Sequence, residues 1–211
     1  MQKFRYQTVI LCTLILFNIV MGQSTDLRDR KNEEYLRALD LFEKEKYASA
    51  QHAFEKIIAE KSLNFDINTE NSYYYAAVCS QLLSNQDAKI KLDEFIRRYP
   101  QSSKVNMAHF FLANHHYANK DYKNALAEYR KVDDSQIDFG HRSEYEFKVG
   151  YCLFQNGEAK DAKPYFSRIM QGKSKYSNSA LYYYAHIQYE EESYDLALAN
   201  FQKLQRDKKF A

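Results

Sequence analysis

Histidine and cysteine are the side chains of this sequence best suited to metal binding or nucleophilic catalysis. His109, His115 and His116 form the closest group among the six histidines. Two ligands on one helix can bind the same metal when they are four residues apart, because their side chains then share a face. Adjacent residues point about 100° apart, and residues seven apart lie about 10 Å apart along the helix axis. We therefore predict no metal site and no bound cofactor.

Other catalytic patterns are also missing from the sequence. The five glycines are scattered, so they cannot form a glycine-rich loop that binds phosphate. The acidic run 190–192 is typical of a solvated helix end, and no serine, histidine and carboxylate arrangement stands out. The sequence predicts that this protein is not an enzyme.

Small residues recur along the chain at a regular interval. Each repeat has a small residue, an alanine twelve positions later, and a large apolar or aromatic residue four positions after that alanine. The alanines at positions 50, 88, 125, 162 and 197 are separated by 38, 37, 37 and 35 residues. This period is typical of solenoids built from helical hairpins. The small residues and alanines of the five repeats are Ala38, Ala50, Ala76, Ala88, Ala113, Ala125, Gly150, Ala162, Ala185 and Ala197.

We predict that these ten residues are the contacts between the two helices of each hairpin. A small residue facing an alanine lets two helix axes approach to the short end of the usual 8 to 10 Å range. Cys79 and Cys152 would then lie on first helices two repeats apart, at about 20 Å, which is far beyond the limit of about 7 Å for a disulfide. We expect both to be buried free thiols.

Further positions make the sequence resemble the tetratricopeptide repeat. Tyr47, Tyr122 and Tyr194 occupy the aromatic position three residues before the second-helix alanine, and Pro100 closes the second repeat. Gly157 lies in a turn between helices, where a left-handed backbone costs little. The resemblance implies an all-α fold, namely a right-handed α-α superhelix, or solenoid, of about five helical hairpins. The repeats span approximately residues 31–64, 69–102, 106–139, 143–176 and 178–211, within a solenoid of residues 33–211.

Residues 1–22 have the features of a cleavable signal peptide. Two basic residues precede a nearly unbroken apolar run from Thr8 to Met21, which is shorter than the roughly 20 residues that span a membrane. An uncleaved anchor and lipidation of Cys12 are weaker alternatives, because the run is short and a large residue precedes that cysteine. We predict export, followed by a flexible polar lead of residues 23–32.

Charge excludes one class of partner. Removal of the predicted signal peptide takes away Lys3 and Arg5, so the 30 basic and 28 acidic residues become 28 and 28. A nucleic-acid groove needs a surplus or a cluster of basic side chains. We therefore predict no nucleic-acid partner.

Tetratricopeptide arrays bind partners mainly with fixed positions of their first helices, so the resemblance implies a concave groove. The fifth position of the first helix is aromatic in all five repeats, as Tyr35, Tyr73, Phe110, Phe147 and Tyr182. Aromatic rings with hydroxyl groups would suit an apolar or tyrosine-rich peptide segment. The alternative is that the rings pack against one another as core. The predicted partner-binding residues are Tyr35, Phe42, Tyr73, Phe110, Asn114, Tyr117, Phe147, Tyr151, Phe154, Tyr182, His186 and Tyr189.

A second resemblance concerns the place of action. Residues 98–102, together with Leu112, Ala113, Asp121 and Tyr122, resemble repeats of Gram-negative periplasmic proteins, the outer-membrane assembly lipoproteins and the Tol-Pal-associated coordinators. The resemblance implies a protein–protein scaffold of the bacterial envelope, periplasmic or peripherally associated with the outer membrane. Two alternatives stay open: a non-catalytic N-terminal part of a larger envelope enzyme such as a cell-wall hydrolase, and a small-ligand carrier.

The last predicted repeat reaches Ala211 without the polar helix that usually caps a solenoid. We expect further repeats beyond Ala211, or a protein partner such as a second copy of the chain, to cover Phe201 and Leu204.

Overall fold

The computed structural model describes residues 32–60 and 67–206. The predicted signal peptide of residues 1–22 and almost all of the lead of residues 23–32 lie outside this part of the chain, so export stays a prediction. All regular secondary structure in the described residues is helical, which confirms the predicted all-α fold class. None of the helices within these ranges is both long and apolar enough to cross a membrane.

The described residues form ten α-helices and one short 3₁₀ helix, Asp134–Gln136. The α-helices follow one another in the order α1 (32–43), α2 (Tyr47–Ala59), α3 (Ile67–Leu82), α4 (Ala88–Arg98), α5 (Val105–Ala118), α6 (Tyr122–Tyr129), α7 (Phe139–Gln155), α8 (Ala159–Ile169), α9 (Ser177–Glu190) and α10 (Tyr194–Arg206).

The chain divides after Leu83 into two compact units. In the first unit, the Phe54 ring of α2 lies 6.1 Å from the Tyr35 ring of α1 and stacks on Tyr75 of α3 at 5.3 Å. The hairpin of α1 and α2 therefore buries its aromatic residues against the following helix. The core of this unit contains Tyr35, Ala38, Ala50, Phe54, Ala76 and Cys79.

The second unit contains α4 to α10, and each of these helices packs on the next one in sequence. In α6 and α8, the aromatic residue four positions after the repeat alanine reaches the following hairpin. The Tyr129 ring of α6 lies 5.8 Å from Tyr145 of α7, and the Phe166 ring of α8 stacks on Tyr183 of α9 at 5.6 Å. These rings fill the space between one hairpin and the next.

All ten small residues of the repeats are buried. Gly150 of α7 shows why their size matters. A Cβ atom at this position would lie 3.0 Å from Cε1 of Phe166 and 3.1 Å from Cβ of Tyr165. These separations are shorter than ordinary carbon contacts, so a larger side chain would push α7 and α8 apart.

The turns inside the hairpins share one backbone conformation. Glu45, Lys120, Gly157 and Glu192 all have positive φ angles, between 56° and 81°. The prediction of a left-handed backbone at Gly157 is confirmed. The same conformation at the other three positions places ordinary side chains in a region that favours glycine.

Cys79 and Cys152 are free and buried, as predicted. Burial raises the pKa of each thiol to about 12. Both side chains therefore remain protonated at neutral pH and serve as small apolar groups.

The expectation that Leu204 is uncovered at the end of the last repeat is wrong. Its side chain is only 4% exposed, because this face of α10 lies against α9. Phe201 is half-buried, and its ring lies 5.9 Å from Tyr182 of α9. The Leu204 side chain is thus covered within the hairpin of α9 and α10, and Phe201 is covered in part by Tyr182 of the same hairpin.

Candidate functional site

Five aromatic side chains form a continuous row across the first helices of the second unit. The row consists of Tyr117 of α5, Tyr151 and Phe154 of α7, and Tyr183 and His186 of α9. Ring centroids along it are 5.6 Å apart between Tyr117 and Tyr151, 5.1 Å between Tyr151 and Tyr183, and 5.4 Å between Phe154 and His186. All five side chains are half-buried, so each ring packs on a neighbour and also reaches solvent. We call these five residues the aromatic row.

The three tyrosines of the row carry hydroxyl groups in addition to their aromatic ring faces. The Tyr151 ring lies 5.3 Å from the Tyr122 ring and 5.1 Å from the Tyr183 ring, so three tyrosine side chains meet at this point of the row. Burial raises the pKa of Tyr117, and burial is also the main reason why the pKa of Tyr151 is raised. The hydroxyls of Tyr117 and Tyr151 are therefore protonated at neutral pH, and the row can present polar hydroxyl groups together with apolar surface.

A polar cluster adjoins the Tyr117 end of the row. Lys148 Nζ lies 5.1 Å from the centroid of the Tyr117 ring and donates hydrogen bonds to Glu144 at 2.6 Å and to Asn114 at 3.1 Å. The Asn114 amide donates to Glu144 at 3.1 Å and accepts from the buried hydroxyl of Tyr129 at 2.5 Å. The positive charge of Lys148 is therefore compensated by Glu144 within the cluster.

The structure separates the twelve predicted partner-binding residues into three groups by burial. Four are buried, which contradicts their assignment to an open groove: Tyr35, Phe110, Asn114 and Phe147. Six are half-buried: Phe42, Tyr73, Tyr117, Tyr151, Phe154 and His186. Two are exposed: Tyr182 and Tyr189.

The buried members are core residues because later elements cover them. The Phe110 ring has no exposed surface and lies 5.4 Å from His141 of α7 and 6.3 Å from Tyr129 of α6. Phe147 is 8% exposed and stacks on Tyr176, just before α9, at 5.2 Å. The alternative interpretation of the column, that its rings pack as core, is correct for these two positions.

Sequence reasoning missed three members of the site. Tyr183 belongs to the row, whereas the repeat register had selected its neighbour Tyr182. Glu144 and Lys148 of the polar cluster were also missed, although their spacing of four residues within a helix is a signal for an ion pair. The run of three tyrosines at 182–184 gives no signal that distinguishes the residue facing the preceding hairpin.

Two of the three histidines considered for metal binding, His109 and His116, contact carboxylates. His109 Nδ1 lies 2.8 Å from Glu128 Oε2, and His116 Nδ1 lies 3.1 Å from Asp121 Oδ2. Across residues 32–60 and 67–206, no cluster of three or more histidine, cysteine or acidic side chains has a metal-binding arrangement.

A separate cavity of about 330 Å³ lies between α6, α7 and α8. Aliphatic side chains and tyrosine rings form most of its wall, and Arg130 and Asp161 supply charge. Arg130 is itself paired with Glu158 at 2.8 Å. The full lining consists of Leu126, Tyr129, Arg130, Tyr145, Val149, Leu153, Asp161, Pro164 and Tyr165.

Comparison with known families identifies the repeat type in part of the chain. Residues 83–138 match a family described as tetratricopeptide repeat. This segment contains Ala88, Ala113 and Ala125 of the predicted small-residue pattern. No curated protein sequence matches the chain.

Solved structures extend the similarity to most of the chain. MamA AMB-1 has a TM-score of 0.64 and 14% identity, covering 86% of this chain and 93% of that one. YrrB, a tetratricopeptide protein with an unusual peptide-binding site, has a TM-score of 0.63 and 16% identity, covering 84% and 87%. The apo form of RapI has a TM-score of 0.64 and 13% identity, covering 83% and 69%. The family match identifies the repeat in residues 83–138, and these structural similarities show the solenoid fold of helical hairpins over most of the chain.

Proposed function

We propose that this protein is a non-catalytic adaptor that binds a segment of a partner protein against the aromatic row. The observation that carries the proposal is that Tyr117, Tyr151, Phe154, Tyr183 and His186 form one half-buried surface across three successive hairpins. The tetratricopeptide fold supports a protein–protein interaction scaffold. YrrB, a structural neighbour, is described as having a peptide-binding site.

The chemistry of the row favours an uncharged partner segment with apolar or tyrosine side chains. Its rings offer apolar faces, and its hydroxyl groups can exchange hydrogen bonds with a peptide backbone. The adjacent cation, Lys148, is compensated by Glu144 and by Asn114. An acidic peptide tail would therefore have to compete with an ion pair that is already formed.

Site-directed photo-crosslinking tests this proposal. A photoreactive residue at Phe154 should capture the partner in cells, whereas one at Tyr165 should not. Tyr165 is a matched control because it is a half-buried aromatic residue of the same unit that lies outside the row and packs under Arg168. Capture from Tyr165 with none from Phe154 would place the binding surface elsewhere.

A binding measurement with the captured segment follows. Tyr151→Ala or Phe154→Ala should weaken its affinity at least about tenfold, as expected for an aromatic residue in the centre of an interface. Equal affinity of both variants and the unsubstituted protein would contradict a role of the row in binding.

We further propose that the adaptor acts in the periplasm of a Gram-negative envelope, after removal of residues 1–22. The support is the basic start and apolar run of this segment, together with the resemblance of residues 98–102 to envelope proteins. Cell fractionation and N-terminal sequencing test both parts. A chain that retains residues 1–22 in the cytoplasm would contradict them.

A small-ligand carrier is the second candidate function, and the cavity between α6, α7 and α8 favours it. Its volume of about 330 Å³ is near the lower limit of ligand pockets. Titration with small aromatic compounds should show saturable binding that Val149→Phe, which fills the cavity, abolishes. Binding that is insensitive to this substitution would exclude the cavity.

A further inference from the structure

Exposed apolar side chains are concentrated on the outer side of the last hairpin. Tyr194 and Leu198 of α10 are 55% and 57% exposed, and Tyr182 and Tyr189 of α9 are 38% and 59% exposed. The half-buried ring of Phe201 of α10 lies 5.9 Å from the Tyr182 ring. We call these five residues the end face.

The same positions in an internal hairpin are covered by a helix. Tyr122, Leu126 and Tyr129 of α6 correspond in the repeat to Tyr194, Leu198 and Phe201. Leu126 is 3% exposed and Tyr129 is 1% exposed. The Tyr122 ring lies 5.3 Å from Tyr151, and the Tyr129 ring lies 5.8 Å from Tyr145. Both contacts are made to α7, the next helix along the chain.

The first helices give the same comparison. Phe110 and Phe147 occupy the repeat position of Tyr182, and they are 0% and 8% exposed, against 38% for Tyr182. The end face therefore corresponds to the stacking surface that α7 covers on the hairpin of α5 and α6. A helix with aromatic or aliphatic side chains along one stripe has the shape needed to cover it.

The charges beside the end face indicate which helix covers it. The start of α10 is acidic, with Glu192 before it and Asp195 in its first turn. Its last turn is basic, with Lys203 and Arg206. Two copies of α10 packed antiparallel would bring the acidic start of each copy beside the basic end of the other. A parallel arrangement would place like charges together.

We propose that the end face binds the end face of a second copy of this chain, with the two α10 helices antiparallel about a two-fold axis. An interface of this kind uses the same patch on both copies. The axis passes between Leu198 and Phe201, so that Leu198 of each copy packs on Phe201 of the other. Asp195 then lies within one helical turn of Arg206 of the second copy. The end face shares no residue with the aromatic row, although its Tyr182 ring lies 5.2 Å from Tyr183 and 6.3 Å from His186 of the row.

Two leucines of α10 provide a matched pair of substitutions. Leu198 and Leu196 are 57% and 59% exposed, and residues two apart on a helix point about 200° apart. Sedimentation equilibrium of the purified protein should show a monomer–dimer equilibrium. Leu198→Asp should weaken dimerisation at least about tenfold, and Leu196→Asp should leave it within about twofold. Circular dichroism of both variants establishes that their helical content is unchanged.

A charge reversal tests the antiparallel arrangement. Asp195→Arg alone and Arg206→Asp alone should each weaken the dimer roughly twofold to fivefold, as expected for exposed ion pairs. The double variant should regain the affinity of the unsubstituted protein. The proposal is overturned by a protein that stays monomeric at its solubility limit, which would leave the end face to another helix. Equal effects of Leu196→Asp and Leu198→Asp, or a double reversal weaker than either single one, would also overturn it.

Discussion

Single residues determine how closely the helices of a hairpin approach, and Gly150 is the most restrictive of them. Gly150→Ala should lower the free energy of unfolding by about 1 kcal/mol. Alanine favours a helix over glycine by roughly 0.5 to 1 kcal/mol, but overpacking of a filled core costs about 1 to 3 kcal/mol. The second effect wins because Phe166, only 3.0 Å from the new Cβ, is itself completely buried. Urea denaturation measures the difference.

Gly140→Ala is the control for this substitution. Gly140 is exposed near the start of the same helix, and the nearest atom to its new Cβ is Oδ1 of the exposed Asp138 carboxylate at 3.1 Å, which caps the helix by accepting from the backbone N–H of His141. This variant should be neutral or slightly more stable than the unsubstituted protein. If Gly150→Ala stabilised the protein as well, close packing would not be the reason for glycine at position 150.

Asn114 accepts the hydrogen bond of the buried Tyr129 hydroxyl, so this single residue should also affect stability. Asn114→Leu should cost about 1 to 3 kcal/mol, because it removes the acceptor of a hydroxyl group that has almost no contact with water. Tyr129→Phe should cost less, and the double variant should be more stable than the two single effects predict when added. Thermal and urea unfolding of the four proteins measure this coupling, and strict additivity would contradict it.

The residue scale is where sequence reasoning about the site was least complete. Repeat register assigns Phe110, Phe147 and Tyr182 to one position, yet Phe110 is fully buried and Tyr182 is 38% exposed. The difference arises from the helix that follows each of them, which a position within a repeat does not encode. Asn114 was predicted to contact a partner, but its amide is used inside the protein by Tyr129, Glu144 and Lys148.

Helical hairpins were predictable as elements because their spacing requires small residues at fixed positions, and all ten of these are buried. Turn conformation was predictable only at Gly157. Lys120 and Glu192 adopt the same left-handed conformation, with φ of 60°, without the glycine that normally indicates it. Closure of each hairpin therefore determines the turn backbone, whatever side chain is present.

Substitutions in these turns should have opposite effects on stability. Glu192→Gly should stabilise the protein by up to about 1 kcal/mol, because glycine adopts positive φ without steric cost. Gly157→Ala should destabilise it by about 1 kcal/mol, because alanine is strained at the φ of 81° found here. A Cβ atom at this position would contact no other atom within 4 Å, so the backbone conformation is the only source of strain. Differential scanning calorimetry of both variants tests this. A loss of stability in Glu192→Gly would mean that backbone strain is not the dominant effect there.

The whole chain has 30 basic and 28 acidic residues, nearly in balance. Several carboxyl groups with lowered pKa values nevertheless lie in one part of the molecule. Hydrogen bonds from Asn124 hold the pKa of Asp121 below its usual value, and those from Ser135 and Gln136 do the same for Asp133. Burial alone would raise the pKa of Asp138, but hydrogen bonds from His141 outweigh it. These groups surround α6 and the connection to α7, in the middle of the second unit.

Glu128 of α6 is the most buried member of this set, and it should make the protein sensitive to acid. Burial alone would raise its pKa, but hydrogen bonds from Lys131 at 2.7 Å and from His109 at 2.8 Å outweigh burial and lower it. A carboxyl group with a lowered pKa in the folded state stabilises that state fully above its unfolded pKa, and the contribution is lost as the pH falls through the folded pKa. The free energy of unfolding should therefore decrease from about pH 5 downwards.

Glu128→Gln should reduce both the stability at pH 7 and the slope of its decrease in acid, because a neutral amide cannot lose a proton-linked contribution. Lys131→Gln removes one donor but keeps the carboxyl group, so it should flatten the same acid limb only in part. Urea denaturation of the three proteins between pH 7 and pH 3 provides the measurement. If Glu128→Gln kept the full acid slope, the carboxyl groups around the start of α6 and α7, rather than the one between His109 and Lys131, would account for acid unfolding.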